Sequence, residues 1–196
     1  MQAVRLTIQM LLEANELPDV KDLIQQWYSR LALACPEQSD TSGGSIVRWL
    51  IGKDLERFAH LDSAELEISQ QEMAYRYRIL QQRYLGTTPE RAYRNLITRL
   101  SSLVLLRYKA PTRFALNRNY QQIVIDILQK MLQQLLIKDI YVQEQIVWIS
   151  ECSTDAHLRN ALLLACLEEY CSRSIHNRPL VFYQFLNYLV HIRQQA

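Results

Sequence analysis

Thr88-Pro89-Glu90-Arg91-Ala92-Tyr93-Arg94-Asn95-Leu96-Ile97-Thr98-Arg99-Leu100 is the stretch that decides the fold. Its first three residues are the strongest helix-start signal in the chain. Threonine can cap, proline suits the first helical position, and glutamate favours the positive end of the helix dipole. The residues that follow repeat with a helical period. At 100° per residue, Arg91, Arg94, Asn95, Thr98, Arg99 and Ser102 share a polar front about 140° wide. Lys109 returns to that front if the helix lasts so far. Tyr93, Leu96, Ile97, Leu100, Leu103 and Val104 form the back. Arg107 falls on the apolar side and is assigned to the fold.

Working outward, capping residues, Gly and Pro divide the chain into about nine helical segments. One spans about 2–14. The next opens at Pro18-Asp19, puts Leu23, Trp27 and Leu31 on one face, and ends at Cys35-Pro36. Residues 36–44 are the most loop-like stretch, and Ser45 is a cap for a helix over 46–60. Asp62 or Ser63 starts a long helix that stops at Gly86. The helix from Thr88 runs to about Tyr108. Another covers 118–138, with Ile123, Ile127, Met131 and Leu135 as its stripe. Asp139 caps 140–151, Ser153-Thr154-Asp155 introduces 155–172, and Pro179 opens 179–193. No strand alternation and no internal repeat stands out. The expectation is an all-α fold, about nine helices in a single compact bundle forming one domain over 1–196. Within it, 1–35 is a candidate subdomain and 36–44 its hinge. The turn Tyr84-Leu85-Gly86-Thr87-Thr88 makes a helix-turn-helix arrangement around Gly86.

Bulk composition agrees. The 196 residues are 49% hydrophobic and 21% charged, with four Gly and five Pro, which favours helices and a sizeable core. The start has Glu13 and no small-residue cleavage site, so no secretory leader is expected. No apolar run approaches a membrane span. Cys35, Cys152, Cys166 and Cys171 are therefore expected to be free thiols in a reducing cytoplasm.

Charge is segregated although the total is only +2. Residues 1–90 carry 9 basic and 13 acidic side chains, and residues 91–196 carry 13 and 7. No acid occurs between Arg91 and Ile125. A basic region that keeps acids out is a footprint for an anion, with nucleic acid the obvious large one. The candidate contacts are Arg91, Arg94, Arg99, Lys109, Arg113 and Arg118. Arg can bond guanine edges or phosphate, Asn adenine, and Ser or Thr phosphate. A second patch, Arg173 to Pro179, adds Arg173, His176 and Arg178, where the N-terminus of the last helix could offer free amides to a phosphate. The bland alternative is a solvated or internally paired polar face.

Catalytic chemistry is missing. Cys152, His157, Cys166, Cys171 and His176 suggest a metal, but each spacing leaves four residues between, which separates neighbours by about 140° on a helix. Gly43-Gly44 lacks the Lys and Ser/Thr of a phosphate loop, and there is no nucleophile elbow and no HExxH. Glu168-Glu169 near His157 and His176 could do acid–base work, but a helix surface with one acid turned inward accounts for the pair. Tyr75, Tyr77 and Tyr84 could stack bases or a partner, and at helical spacing they also fit core and rim. The reading is a non-enzymatic protein with no cofactor and no metal.

Three strings carry a resemblance: Thr88 to Leu100 as quoted, Leu158-Arg-Asn-Ala-Leu-Leu-Leu-Ala-Cys-Leu-Glu-Glu-Tyr-Cys171, and Arg178-Pro-Leu-Val-Phe-Tyr-Gln-Phe-Leu-Asn-Tyr-Leu189. Over roughly 85–196 the chain resembles the cyanobacterial HetZ-related family, associated with heterocyst differentiation. The resemblance implies an all-helical cytoplasmic regulator of transcription in cell differentiation that associates with DNA and with other regulators. The family pattern also continues, past the position of Ala196, into a segment of helix-turn-helix character. The sequence thus predicts a transcription-related regulator touching DNA through the basic residues above, with no membrane partner. The alternative is a helical adaptor that binds another regulatory protein or itself. A small-molecule sensor is the third reading, and it would need a large enclosed pocket.

Overall fold

A computed structural model describes residues 18–34, 40–107, 118–175 and 177–195. Among these the fold is all-α, as expected, with eight α-helices. They are α1 (Pro18–Ala34), α2 (Asp40–Ile51), α3 (Ser63–Arg83), α4 (Pro89–Arg107), α5 (Arg118–Lys138), α6 (Ile140–Cys152), α7 (Ala156–Ser172) and α8 (Leu180–Gln195). A 3-10 turn, Glu56–His60, follows α2, and two short strands, β1 (Ser174–Ile175) and β2 (Arg178–Pro179), separate α7 from α8. The helix expected over 2–14, Cys35 and residues 36–39 lie outside the described residues.

The chain divides into two compact units: Met1–Leu85 with Ile146–Leu162, and Gly86–Gln145 with Leu163–Ala196. The division coincides with the charge. The first unit holds 10 basic and 14 acidic residues, the second 12 and 6, so they carry −4 and +6.

In the first unit α1 packs on α2 and on the 3-10 turn, and α2 packs on α3. The core takes Leu23, Ile24, Trp27 and Leu31 from α1 and Ile46, Val47, Trp49, Leu50 and Ile51 from α2. Met73, Tyr77, Leu80 and Tyr84 follow at helical spacing, and Trp27 meets Tyr77 edge to face at 5.8 Å. The helix expected over 46–60 is instead α2 plus a separate turn. It begins at Asp40, taking in the Gly pair at about 1 kcal/mol per glycine against alanine. Burial of Ile46, Val47, Trp49, Leu50 and Ile51, each worth about 1.5–3 kcal/mol, outweighs that penalty. It ends where Gly52 takes φ 89, its amide still bonded to Arg48 O at 3.0 Å.

Helix α3 begins in a full capping box. Asp62 Oδ1 accepts from Ala64 N and Glu65 N at 2.8 Å, and Glu65 Oε2 accepts from Asp62 N at 3.0 Å. Arginines of this unit close helix ends. Arg48 Nη1 donates to Glu151 O at 2.8 Å while lying over Trp148, and Arg57 Nη2 donates to Ile51 O at 2.8 Å. Burial, then the neighbouring Arg76, hold the Arg57 guanidinium below its ordinary pKa.

In the second unit α4 packs on α5, and α8 packs on both. The buried stripe of α5 is Val124, Ile127, Leu128, Met131, Leu132 and Leu135. Ile123, expected within that stripe, is 54% exposed, because the stripe is centred one residue later. From α8 come Val181, Phe182 and Phe185, and from α7 Leu164, Ala165, Cys166, Leu167 and Cys171. The basic patch from Arg173 to Pro179, placed by the sequence between two helices, contains a minimal hairpin. Ser174 pairs with Pro179 and Ile175 with Arg178, antiparallel, and α8 starts at Leu180 rather than at Pro179.

Candidate nucleic-acid interface

Helix α4 carries the first group of candidate residues. Ala92 N donates to Thr88 O at 2.8 Å, so helical bonding starts where the Thr-Pro-Glu signal puts it. Leu96, Ile97, Leu100 and Val104 of the expected apolar back are buried, joined by Ala92 and Ser101, whereas Tyr93 is exposed and Leu103 half-buried. Arg91, Arg94 and Thr98 are exposed in front. Ser102 Oγ turns back to Thr98 O at 2.9 Å, so that hydroxyl is engaged within its own helix. Arg107, assigned to the fold by its angle, is exposed. As the last residue of α4 it can extend its charged end past the helix terminus into water.

The cationic front splits in two. Arg99 Nε lies 3.6 Å from Glu168 Oε1; the arginine side chain is 47% exposed and the carboxylate 1%. Glu168 is the inward acid of the Glu168-Glu169 pair, set among Leu164 and Cys171 on the buried face of α7. A buried carboxylate needs a cation or donors, so Arg99 serves the fold as much as the surface. Among the described residues, no carboxylate lies within ion-pair distance of Arg91, Arg94, Arg107, Arg173 or Arg178.

The second group sits on the hairpin. Arg173 and Arg178 are exposed, each guanidinium over a ring: Arg173 is 5.7 Å from Tyr141 and Arg178 5.5 Å from Phe182. Tyr141 stacks on Tyr170 at 4.8 Å and 26°. Tyr170 OH donates to Asp139 Oδ2 at 3.0 Å, and Asp139 Oδ1 accepts from Val142 N at 3.0 Å, capping α6. Burial, then the bond to Asp139, raise the Tyr170 hydroxyl pKa. Leu180 N donates to Arg173 O at 2.9 Å, so the first amide of α8, one of those expected to face a phosphate, is engaged by the hairpin. Asn177 makes the turn at φ 63, a conformation asparagine tolerates better than most residues.

Five of the nine candidate side chains are thus placed, and all five belong to the basic unit: Arg91, Arg94, Arg99, Arg173 and Arg178. Lys109, Arg113 and His176 lie outside the described residues, and of Arg118 only the helical backbone is described. Sequence reading missed Tyr141, Tyr170 and Phe182 as supports. Tyr141 and Tyr170 are far apart in the chain, so no local periodicity links them. Gly86 takes the left-handed φ of 68 expected at the turn, and the helices on either side belong to different units.

Other chemistry is limited. Cys152, Cys166 and Cys171 are buried free thiols. Burial pushes Cys152 and Cys171 up to about 12, which holds them as unreactive thiols. Among the described residues no three His, Cys, Asp or Glu side chains converge on a metal position, and no helix is long and apolar enough to cross a membrane. A groove of about 350 Å³ between α5 and α8, walled by Gln134, Lys138, Asn187 and Tyr188, is at the small end for ligand pockets. No family model, curated protein or solved structure matches the chain.

Proposed function

We propose that this chain is a non-enzymatic, transcription-related regulator whose basic unit contacts DNA. One observation carries the reading. In the +6 unit Arg91, Arg94, Arg173 and Arg178 are exposed with no carboxylate in reach among the described residues, whereas Arg48 and Arg57 of the acidic unit bond to helix-end carbonyls. Unpaired surface arginines on rigid elements are what phosphate contacts require. The resemblance of residues 85–196 to the HetZ-related family supplies the context of cyanobacterial cell differentiation. The test is electrophoretic retardation of a ~30-base-pair duplex at ~50 mM salt, where phosphate contacts are strong. The wild type retards the duplex, and Arg91→Glu with Arg94→Glu weakens retardation. An unretarded duplex, or retardation untouched by the double reversal, contradicts the reading.

A second reading, an adaptor or homodimer, has its own observation. Ile137 and Ile140 are 72% and 76% exposed on either side of the α5–α6 junction. Two such isoleucines three residues apart suit a partner surface. Light scattering during size exclusion tests the homodimer, and a monomer mass that does not change with concentration counts against it.

A further inference from the structure

The hairpin has the build of a gripping device. Arg173 stands opposite Leu180 through the 2.9 Å bond, and Arg178 stands opposite Ile175 in the ladder. Arg173 thus immediately precedes β1 and Arg178 opens β2, so the two arginines flank one minimal hairpin. Two long guanidinium arms at one hairpin can reach oxygens of one phosphate or of two neighbours.

Each arm is also braced. Phe182, 5% exposed, underlies Arg178. Under Arg173 runs a ladder: Tyr141, then Tyr170 stacked on it, then Asp139 holding the Tyr170 hydroxyl at 3.0 Å while capping α6. A guanidinium laid on a ring keeps its N–H edges free, and it loses less freedom when it binds. The ladder ties the end of α7 to the N-terminus of α6, so it positions the ring on which Arg173 lies.

We propose that Arg173 and Arg178 form a two-arginine clamp for the phosphodiester backbone of DNA, and that Tyr141, Tyr170, Asp139 and Phe182 are its positioning residues. This rests on the reading that the basic unit binds DNA. A clamp of this kind reads phosphate rather than base, so it contributes equally to every sequence. Each phosphate contact adds about 0.9 to the steepness of log K against log salt.

The experiment measures duplex affinity against salt for the wild type and four variants, on two duplexes of unrelated sequence. Arg173→Ala with Arg178→Ala lowers the slope by about 2 and weakens both duplexes alike. Tyr141→Leu lowers it by about 1, while Tyr141→Phe, which keeps the ring, retains it. Helical circular dichroism stays at the wild-type level in the arginine variant. If the wild type binds and Arg91→Glu with Arg94→Glu weakens it, but the hairpin variant keeps its slope, the clamp is overturned and the DNA reading stands. If the wild type does not bind, both fall. If inorganic phosphate at equal ionic strength displaces the duplex stoichiometrically, the clamp is a free-phosphate site and the DNA assignment is overturned.

Discussion

Glu168 sets what each arginine of the basic unit is free to do. At 1% exposure it holds Arg99 at 3.6 Å, whereas Arg91 and Arg94 on the same helix have no such partner among the described residues. Removing Arg99 takes a cation from a buried carboxylate. The cost lies between that of a surface pair and a fully buried one, about 2 kcal/mol, whereas Arg91→Ala changes stability by less than about 0.5 kcal/mol. Urea unfolding of the two alanine variants measures the difference, and equal midpoints would contradict this division of labour. Charge reversal at Arg99 is for the same reason a poor test of DNA contact, since it attacks the fold. The inward turn of one acid in the Glu168-Glu169 pair was legible, because Leu164 and Cys171 lie four before and three after Glu168. Its partner was not, because nothing local links positions 99 and 168.

The thiols make a second prediction at this scale. Cys152 and Cys171 titrate near 9 when unfolded and at about 12 in the fold. Below pH 9 both states are protonated and stability is complete. As the pH rises from 9 toward 12 the unfolded chain loses its thiol protons first, so the fold is progressively disfavoured. Denaturation midpoints across that window should fall with pH, and Cys-to-Ser replacement at 152 and 171 should flatten the fall. An unchanged slope in the double variant would remove the thiols as its cause.

Among the elements, caps and turns carry separable amounts of stability. Asp62→Ala removes the side-chain half of the α3 capping box, the bonds from Ala64 N and Glu65 N, and should cost about 1 kcal/mol. Gly86→Ala meets no atom within 4 Å of its new Cβ, so its cost is the left-handed backbone alone, about 1 kcal/mol. Both losses would appear as lower thermal midpoints, and a neutral Gly86→Ala would mean that the turn does not need its φ of 68. Helices α1, α3, α4, α6, α7 and α8 were legible to within a residue or a few, because Pro18, Asp62, Thr88, Asp139, Asp155 and Pro179 mark their starts. Helix α2 was not, since its Gly43-Gly44 pair argues for a loop until the burial of Trp49 and its neighbours is known. The hairpin was invisible because strands of two residues have no alternation to read.

At the scale of the whole molecule, charge and contact divide the chain in the same place, −4 against +6. The sequence showed the segregation, but not that Arg48 and Arg57 of the acidic unit are engaged internally. That requires knowing that Arg48 and Arg57 meet the carbonyls of Glu151 and Ile51. Nor could it show that the basic unit keeps Arg91, Arg94, Arg173 and Arg178 for something else. The salt dependence of duplex binding tests that claim most directly. Four phosphate contacts predict that log K falls linearly with log salt with a slope near −3.6, reduced by about 2 in the Arg91→Glu, Arg94→Glu variant. A slope near zero, or one that the variant leaves unchanged, would contradict it.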